Sequence, residues 1–422
     1  MSEKRKDAKG RVLRNGEVQR ADGKYMFRYP DVNGERQTVY SWKLVETDKA
    51  PTGKRCDEAL RTMEKRILKD LEDGIDSSRA GSITLNDLFD QFMQIRTKLK
   101  ETTRCNYICL YDTHVREGFG KKKVGSVKYS DIYKFYLSLS ERKQLKKSSI
   151  QSVNAILWQL FEMAKKDGYI RKNTADGVMR ELSKDMDDES EKKHALTIAE
   201  QEAFIAYAYR EDRYLRYARL FTVLLGTGMR IGEALGLTWS DINFSKGTIS
   251  VNHSLRYKDT EKGGYEYHIS SPKTKAGNRT IPMFKNVKKA LLAERKRQLA
   301  EGAKAFEVDG YSGFVFTNSA GKVYTPAFIY DTLQSIATDY NLDEREKARK
   351  EKREPLYLPK ISAHILRHTF CTRMCENESN VKVIQAVMGH KNIRTTMDVY
   401  NEATAQATAA SFRNLEGKIR LA

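Results

Sequence analysis

No run of about 18 apolar residues occurs anywhere in the chain, so no segment reads as a membrane-spanning helix. The opening stretch MSEKRKDAKGRVLRNG also lacks the apolar segment of a secretion signal, and a cytoplasmic protein is expected. Cysteine is scarce and odd in number, five in 422 residues, which fits reduced thiols better than a disulfide framework. Cys105 with Cys109 and Cys371 with Cys375 are spaced four apart, but in helices such pairs are ordinary core or boundary neighbours, and no zinc or other metal is expected. Acidic residues are outnumbered 56 to 76 by Lys and Arg, giving a formal charge of +20, the balance of a polyanion binder. Nucleic acid leads the partners, although charge alone leaves an unspecific basic protein open. No internal repeat at solenoid periods is present.

What is present suffices to build cores: the apolar share is 40%, with 16 Phe, 22 Tyr and 3 Trp. At 422 residues the chain exceeds one ordinary domain of about 100–200 residues, so two or three are expected. The first reads as a short strand near Arg11 to Arg14, a hairpin from Lys24 to Trp42 with Tyr25, Phe27 and Tyr29 on one face, and a helix carrying Leu60, Met63, Ile67 and Leu71. Thr84 with Asp87 then resembles a helix cap and opens an all-helical segment. Its clearest helix runs from about Ser148 to Lys166. The charged stretch SKDMDDESEKK, from Ser183 to Lys193, reads as a linker. Thr197 with Glu200 opens a mixed region of helices with a strand cluster from about Thr248 to Pro282. The expected division is therefore 1–81, 82–183, a linker at 184–194, and 195–422.

Four places carry groups suited to chemistry. In GTGMRIGEALGL, Arg230 starts an amphipathic helix with Glu233 one turn on, so the acid can hold the guanidinium; a surface ion pair is the plainer alternative. In SPKTKAGNRTIP, Lys273 or Lys275 can reach a phosphate from a turn, or be an exposed hairpin charge. HILRHT puts His364 and Arg367 three apart on a helix, a pairing suited to an anionic oxygen, although a lone histidine on a helix is more often structural. In VMGHKNIRTTMDVY, His390 precedes Tyr400 by ten residues; by itself Tyr400 is an ordinary amphipathic aromatic.

Taken in order, Arg230, Lys273, His364, Arg367, His390 and Tyr400 resemble the signature of the tyrosine recombinase family, with all six positions filled. The domain order is similar to that of integrases carried by phages and conjugative transposons, and the stretch through YSWKL to their arm-site-binding domain. The resemblance implies an α+β, multidomain protein: a small sheet-plus-helix DNA-binding domain, an all-helical core-binding domain and a mainly helical catalytic domain. It implies that Arg230 and Arg367 grip the scissile phosphate and that His364 and His390 add hydrogen bonds. Lys273 would protonate the departing 5′ oxygen, Glu233 would support Arg230, and Tyr400 would form a 3′-phosphotyrosyl bond. Neither ATP, metal nor any other cofactor is then needed. Lys98, Lys100, Arg104 and Lys121, Lys122 and Lys123 would clamp duplex DNA, and the N-terminal sheet, with Tyr25 and Phe27, would enter a groove at a separate site.

The implied partners are double-stranded DNA at element ends and targets, a homotetramer on that DNA, and an excisionase or DNA-bending accessory protein. A tail from Thr404 to Arg420, with Ala409, Phe412, Leu415 and Ile419 at near-helical spacing, would dock on its own or a neighbouring protomer. The expected function is integration and excision of a mobile element by DNA strand transfer. The alternatives are strand relaxation by a type IB topoisomerase-like enzyme and a catalytically silent DNA-binding regulator. A metal-dependent nuclease would need a carboxylate cluster, whereas this constellation is cationic.

Overall fold

The computed structural model describes residues 5–54, 57–142, 144–186, 194–259, 264–272, 275–302, 304–378 and 380–401. They divide into two compact units, Met1–Glu191 and Lys192–Ala422.

The first unit opens with an antiparallel sheet, β1 (Glu17–Gln19), β2 (Tyr25–Pro30) and β3 (Arg36–Ser41), in that order. Tyr25, Phe27 and Tyr29 alternate toward α1 (Leu60–Glu72), where they bury with Leu44, Leu60 and Ile67. The strand expected near Arg11 to Arg14 is only a bridge between Lys6 and Val12. The Asp7 carboxylate takes the backbone N–H groups of Lys9 and Arg11, so those donors turn inward and do not extend a ladder.

After the short helix α2 (Ser77–Ala80), a second core is built from α3 (Leu85–Ile95), α4 (Glu101–Tyr111), α5 (Tyr129–Glu141), α6 (Lys147–Lys166) and α7 (Val178–Asp185). Thr84 and Asp87 close a reciprocal cap on α3, so two orphan N–H donors are satisfied locally. The α6 stripe Ile150, Val153, Leu157, Leu160 and Phe161 is wholly buried. Lys184 and Asp185, expected in a linker, instead finish α7, because Val178 and Leu182 bury and Lys147 Nζ donates to Ser183 O at 2.9 Å. Residues 187–193 of that stretch lie outside the described residues.

In the second unit, Thr197 and Glu200 cap α8 (Ile198–Arg210) reciprocally, and α9 (Asp212–Thr227) packs on it. The short α10 (Ile231–Gly236) follows a tight bend at Gly228. Next come β4 (Ile242–Asn243), β5 (Thr248–Val251), the hairpin β6 (Ser254–Asp259) and β7 (Tyr265–Ser270), and β8 (Arg279–Pro282). Strands β4, β5 and β8 form one antiparallel sheet. The remainder is α11 (Lys285–Glu301), α12 (Pro326–Glu351), α13 (Ala363–Asn377) and α14 (Val381–Met388), then a helical stretch over 393–401. The long α9, which packs against α8, α11 and α13, carries the centre of the core through Leu220, Phe221, Val223 and Leu224. The resulting α+β architecture is the expected fold class. No described helix is long and apolar enough to cross a membrane.

Candidate active site

The chain arrives at the site through a glycine bend. Gly228 ends α9 in the left-handed conformation, φ 60°, and an added Cβ would lie 2.4 Å from Phe370 Cδ1. Left-handed strain and overpacking each cost about 1–3 kcal/mol. Gly228→Ala is therefore expected to destabilise the protein by about 2–4 kcal/mol, read as a shift in the denaturant midpoint. An unchanged midpoint would mean that Phe370 moves aside freely.

The bend delivers Arg230 to the N-cap of α10. Its Nη1 donates to Glu233 Oε1 at 2.8 Å, and its backbone N–H donates to Glu233 Oε2 at 2.9 Å. Glu233 is buried, whereas the Arg230 side chain is 47% exposed, so the acid holds the stem while the guanidinium stays accessible. Burial pushes the Glu233 carboxyl up, but bonds to Arg279 and Arg230 outweigh it and bring the group below its ordinary value.

Arg367, on α13, lies at the floor of the site, only 4% exposed. Its Nη1 donates to Gly228 O at 2.5 Å and its Nη2 to Met388 O at 2.6 Å. Burial, then the charge of Arg230, lowers its guanidinium to about 9, so it remains cationic at neutral pH. His364 sits exposed in the first turn of α13. His368 is half-buried with Nδ1 3.4 Å from the Thr372 hydroxyl.

His390 follows the end of α14, and its Nδ1 lies 2.9 Å from the Thr396 hydroxyl. Burial first, then the charges of Arg367, Arg230, Arg279 and His364, depresses its imidazole to about 4. Arg367 Nη2 on Met388 O at 2.6 Å and Arg230 Nη2 on Gly389 O at 3.4 Å place both guanidinium groups at the two residues before His390, and His364 adds its charge to the same field. His390 is consequently neutral at pH 7 with an ordinary unfolded value near 6.5. A depressed value means that the folded state binds fewer protons, so this stabilisation is complete above about pH 6.5 and drains away as the pH falls toward 4. The stability difference between wild type and His390→Gln is expected to shrink over that window, measured by unfolding at successive pH values. A pH-independent difference would contradict it.

Tyr400 is half-buried in the helical stretch 393–401, packed on the cluster formed by Phe370, Cys371, Cys375, Ile384 and Met388. These residues come from α13 and α14, the same helices that carry Arg367 and lead into His390. Cys371 and Cys375 are both buried in that cluster, as core neighbours. Lys273 and the tail from Thr404 to Arg420 lie outside the described residues.

Arg279 was not singled out from the sequence, yet it is central. Its Nη2 donates to Glu233 Oε2 at 2.9 Å and its Nε to Val387 O at 2.7 Å, with the side chain 5% exposed. The only local signal is its place at the start of β8 beside the basic turn.

Among the residues expected to meet DNA, Lys98, Lys100 and Lys123 are exposed. Lys121 and Lys122 are exposed too, paired with Glu117 at 2.9 Å and Asp131 at 3.0 Å, pairs weak enough to open for a phosphate. Arg104 is partly committed elsewhere: its Nη1 donates to Met93 O at 2.9 Å, near the end of α3. Tyr25 and Phe27 are corrected. They are 3% and 4% exposed in the small core, and the Tyr25 hydroxyl donates to Asp7 Oδ2 at 3.0 Å, so neither side chain faces a groove. The other face of the sheet carries Arg28 and Arg36 and the exposed Tyr40. Lys24 Nζ lies 5.5 Å from the Tyr40 ring and 5.4 Å from the Trp42 ring.

Two guanidinium groups and two imidazoles lie together, with Tyr400 packed against the adjoining helices, a cationic arrangement suited to an anionic oxygen. Residues 1–71 match the DNA binding domain of the Tn916 integrase, and residues 194–407 match the phage integrase family. The transposase from transposon Tn916 of Enterococcus faecalis is 35% identical over 418 residues, covering 98% of this chain and 97% of that protein. The transposase from transposon Tn1545 of Streptococcus pneumoniae is similar to the same degree, 35% over 418 residues. The Tn1549 transposon integrase, solved in complex with transposon right end DNA, superposes with a TM-score of 0.68 at 32% identity. It covers 79% of this chain and 100% of the solved one. The chain belongs to the phage integrase family and is a tyrosine recombinase, a site-specific DNA integrase.

Proposed function

We propose that the protein integrates and excises a mobile element by two sequential pairs of single-strand exchanges, carried out by a homotetramer on double-stranded DNA. The observation that carries this is the shared field of Arg230, Arg367, His364 and His390 beside the helix bearing Tyr400. The relatives are transposases and an integrase of transposons, one of them held on transposon end DNA, which supports a mobile element as substrate. The division into an arm-site domain at 1–81, a core-binding domain at 82–183 and a catalytic domain at 195–422 belongs to the same proposal, as does help from an excisionase or bending protein.

In the reaction, Arg230 and Arg367 bind the non-bridging oxygens of the scissile phosphate, where forked guanidinium donors neutralise the charge that grows in the transition state. His364 and His390 donate further hydrogen bonds and handle the tyrosine proton. The Tyr400 oxygen bonds to phosphorus while the bond to the 5′ oxygen breaks, and Lys273, or its neighbour Lys275, supplies the proton that oxygen needs. The phosphotyrosyl bond keeps the energy of the broken linkage, so rejoining is the same step reversed onto a partner strand. The outward face of the N-terminal sheet, with Arg28, Arg36 and Tyr40, takes the groove-facing role in place of Tyr25 and Phe27, and Lys98, Lys100 and Lys121 to Lys123 hold duplex phosphates.

The test mixes the protein with a labelled, nicked duplex from an element end, denatures it, and maps the labelled peptide. The expected result is an adduct on the peptide containing Tyr400, which then joins to a second duplex. An adduct that relaxes supercoils but never joins a partner would favour a topoisomerase. No adduct on DNA that the protein binds would favour a silent regulator.

A further inference from the structure

Three consecutive carbonyls close α14, and each ends on a different arginine. Val387 O accepts from Arg279 Nε at 2.7 Å, Met388 O from Arg367 Nη2 at 2.6 Å, and Gly389 O from Arg230 Nη2 at 3.4 Å. A helix C-terminus presents unsatisfied carbonyls and the negative end of its dipole, so three guanidinium groups there are a matched partner. The next residue is His390 and the next helical stretch bears Tyr400. Docking α14 on the arginines therefore sets where both of those groups start.

The three arginines are not equivalent. Arg230 is half exposed, and Arg367 gives its terminal nitrogens to two carbonyls among the described residues. Arg279 is different: besides Val387 O it donates to both Glu233 oxygens, at 3.3 and 2.9 Å, and to Gly277 O at 3.3 Å. Four of its five N–H groups are thus spent inside the protein, which leaves no fork for a phosphate. The fit is close: an added Cβ on Gly389, at φ 64°, would lie 3.1 Å from Arg279 Nη1 and 3.0 Å from Ala276 O. Glu233 in turn orients Arg230, so one buried side chain ties the acid behind the first phosphate ligand to the helix that leads to the nucleophile.

We propose that Arg279 is a positioning residue of the strand-transfer reaction, acting through Glu233 on Arg230 and through Val387 on the segment from His390 to Tyr400, without touching DNA. This rests on the assignment of Arg230 and Tyr400 to the reaction. Lysine in its place keeps the charge but cannot bond both Glu233 oxygens and Val387 O together.

The experiment compares wild type, Arg279→Lys, Glu233→Gln and the double variant in the full-length protein, by duplex affinity, single-turnover adduct formation and thermal unfolding. Arg279→Lys is expected to bind duplex within about threefold of wild type yet form adduct on the order of a hundredfold more slowly, the scale of one misaligned donor. Because it works through Glu233, the Arg279→Lys penalty should be much smaller in the Glu233→Gln background, and rates of the double variant should be non-additive. Equal adduct rates, strictly additive penalties, or parallel loss of affinity, adduct and melting temperature would each overturn the proposal, the last assigning Arg279 to stability alone. A wild type that formed no adduct would instead remove the assignment of Tyr400, which keeps the two failures apart.

Discussion

Tyr400→Phe is expected to bind duplex DNA as wild type does and to form no covalent adduct, a loss of at least roughly four orders of magnitude in cleavage rate. The change removes one oxygen. The ring keeps its place against Phe370, Cys371, Cys375, Ile384 and Met388, so packing and melting temperature should hardly move. Arg230 keeps Glu233, Arg367 keeps the carbonyls of Gly228 and Met388, and His390 keeps the Thr396 hydroxyl. Phosphate binding therefore survives without attack. Gel retardation and covalent trapping on the same nicked duplex measure the two halves separately. Any adduct formed by the phenylalanine variant would mean that another of the 22 tyrosines is the nucleophile.

The local features of this fold were legible because their partners lie within one helical turn. Thr84 with Asp87, Thr197 with Glu200, and Arg230 with Glu233 each pair three residues apart, and all three form as the spacing predicts. Arg279 was illegible for the opposite reason: its acceptors Glu233 and Val387 are 46 and 108 residues away in the chain. The N-terminal sheet failed in a different way. Alternation separates its two faces, but both carry aromatics, Tyr25 and Phe27 on one and Tyr40 on the other. Only α1, folding across the first face, decides which one is core. The helix end at Lys184 and Asp185 was hidden in a charged run, since two apolar residues, Val178 and Leu182, are enough to dock the helix.

Arg367→Ala is expected to slow adduct formation by about a thousandfold or more, the scale of losing an arginine that faces transition-state charge. It should also lower stability, since the carbonyls of Gly228 and Met388 lose their buried donor. Arg367→Lys separates charge from shape. An ammonium is a point donor and cannot span two carbonyls and a phosphate at once, so a rate about a hundredfold below wild type is expected even at its best pH. The pH dependence should be more telling. Burial, then the Arg230 charge, depresses the native guanidinium from its ordinary value to about 9. An ammonium starts about two units lower, so the same surroundings leave it partly uncharged near neutrality. The second-order cleavage rate of Arg367→Lys, which reports the free enzyme, should then fall with rising pH between 6 and 8, roughly tenfold per unit at the upper end, while wild type holds its rate. A flat profile for the lysine variant would mean that DNA-free Arg367 is far better solvated than its burial implies, and that the floor of the site opens before the phosphate arrives.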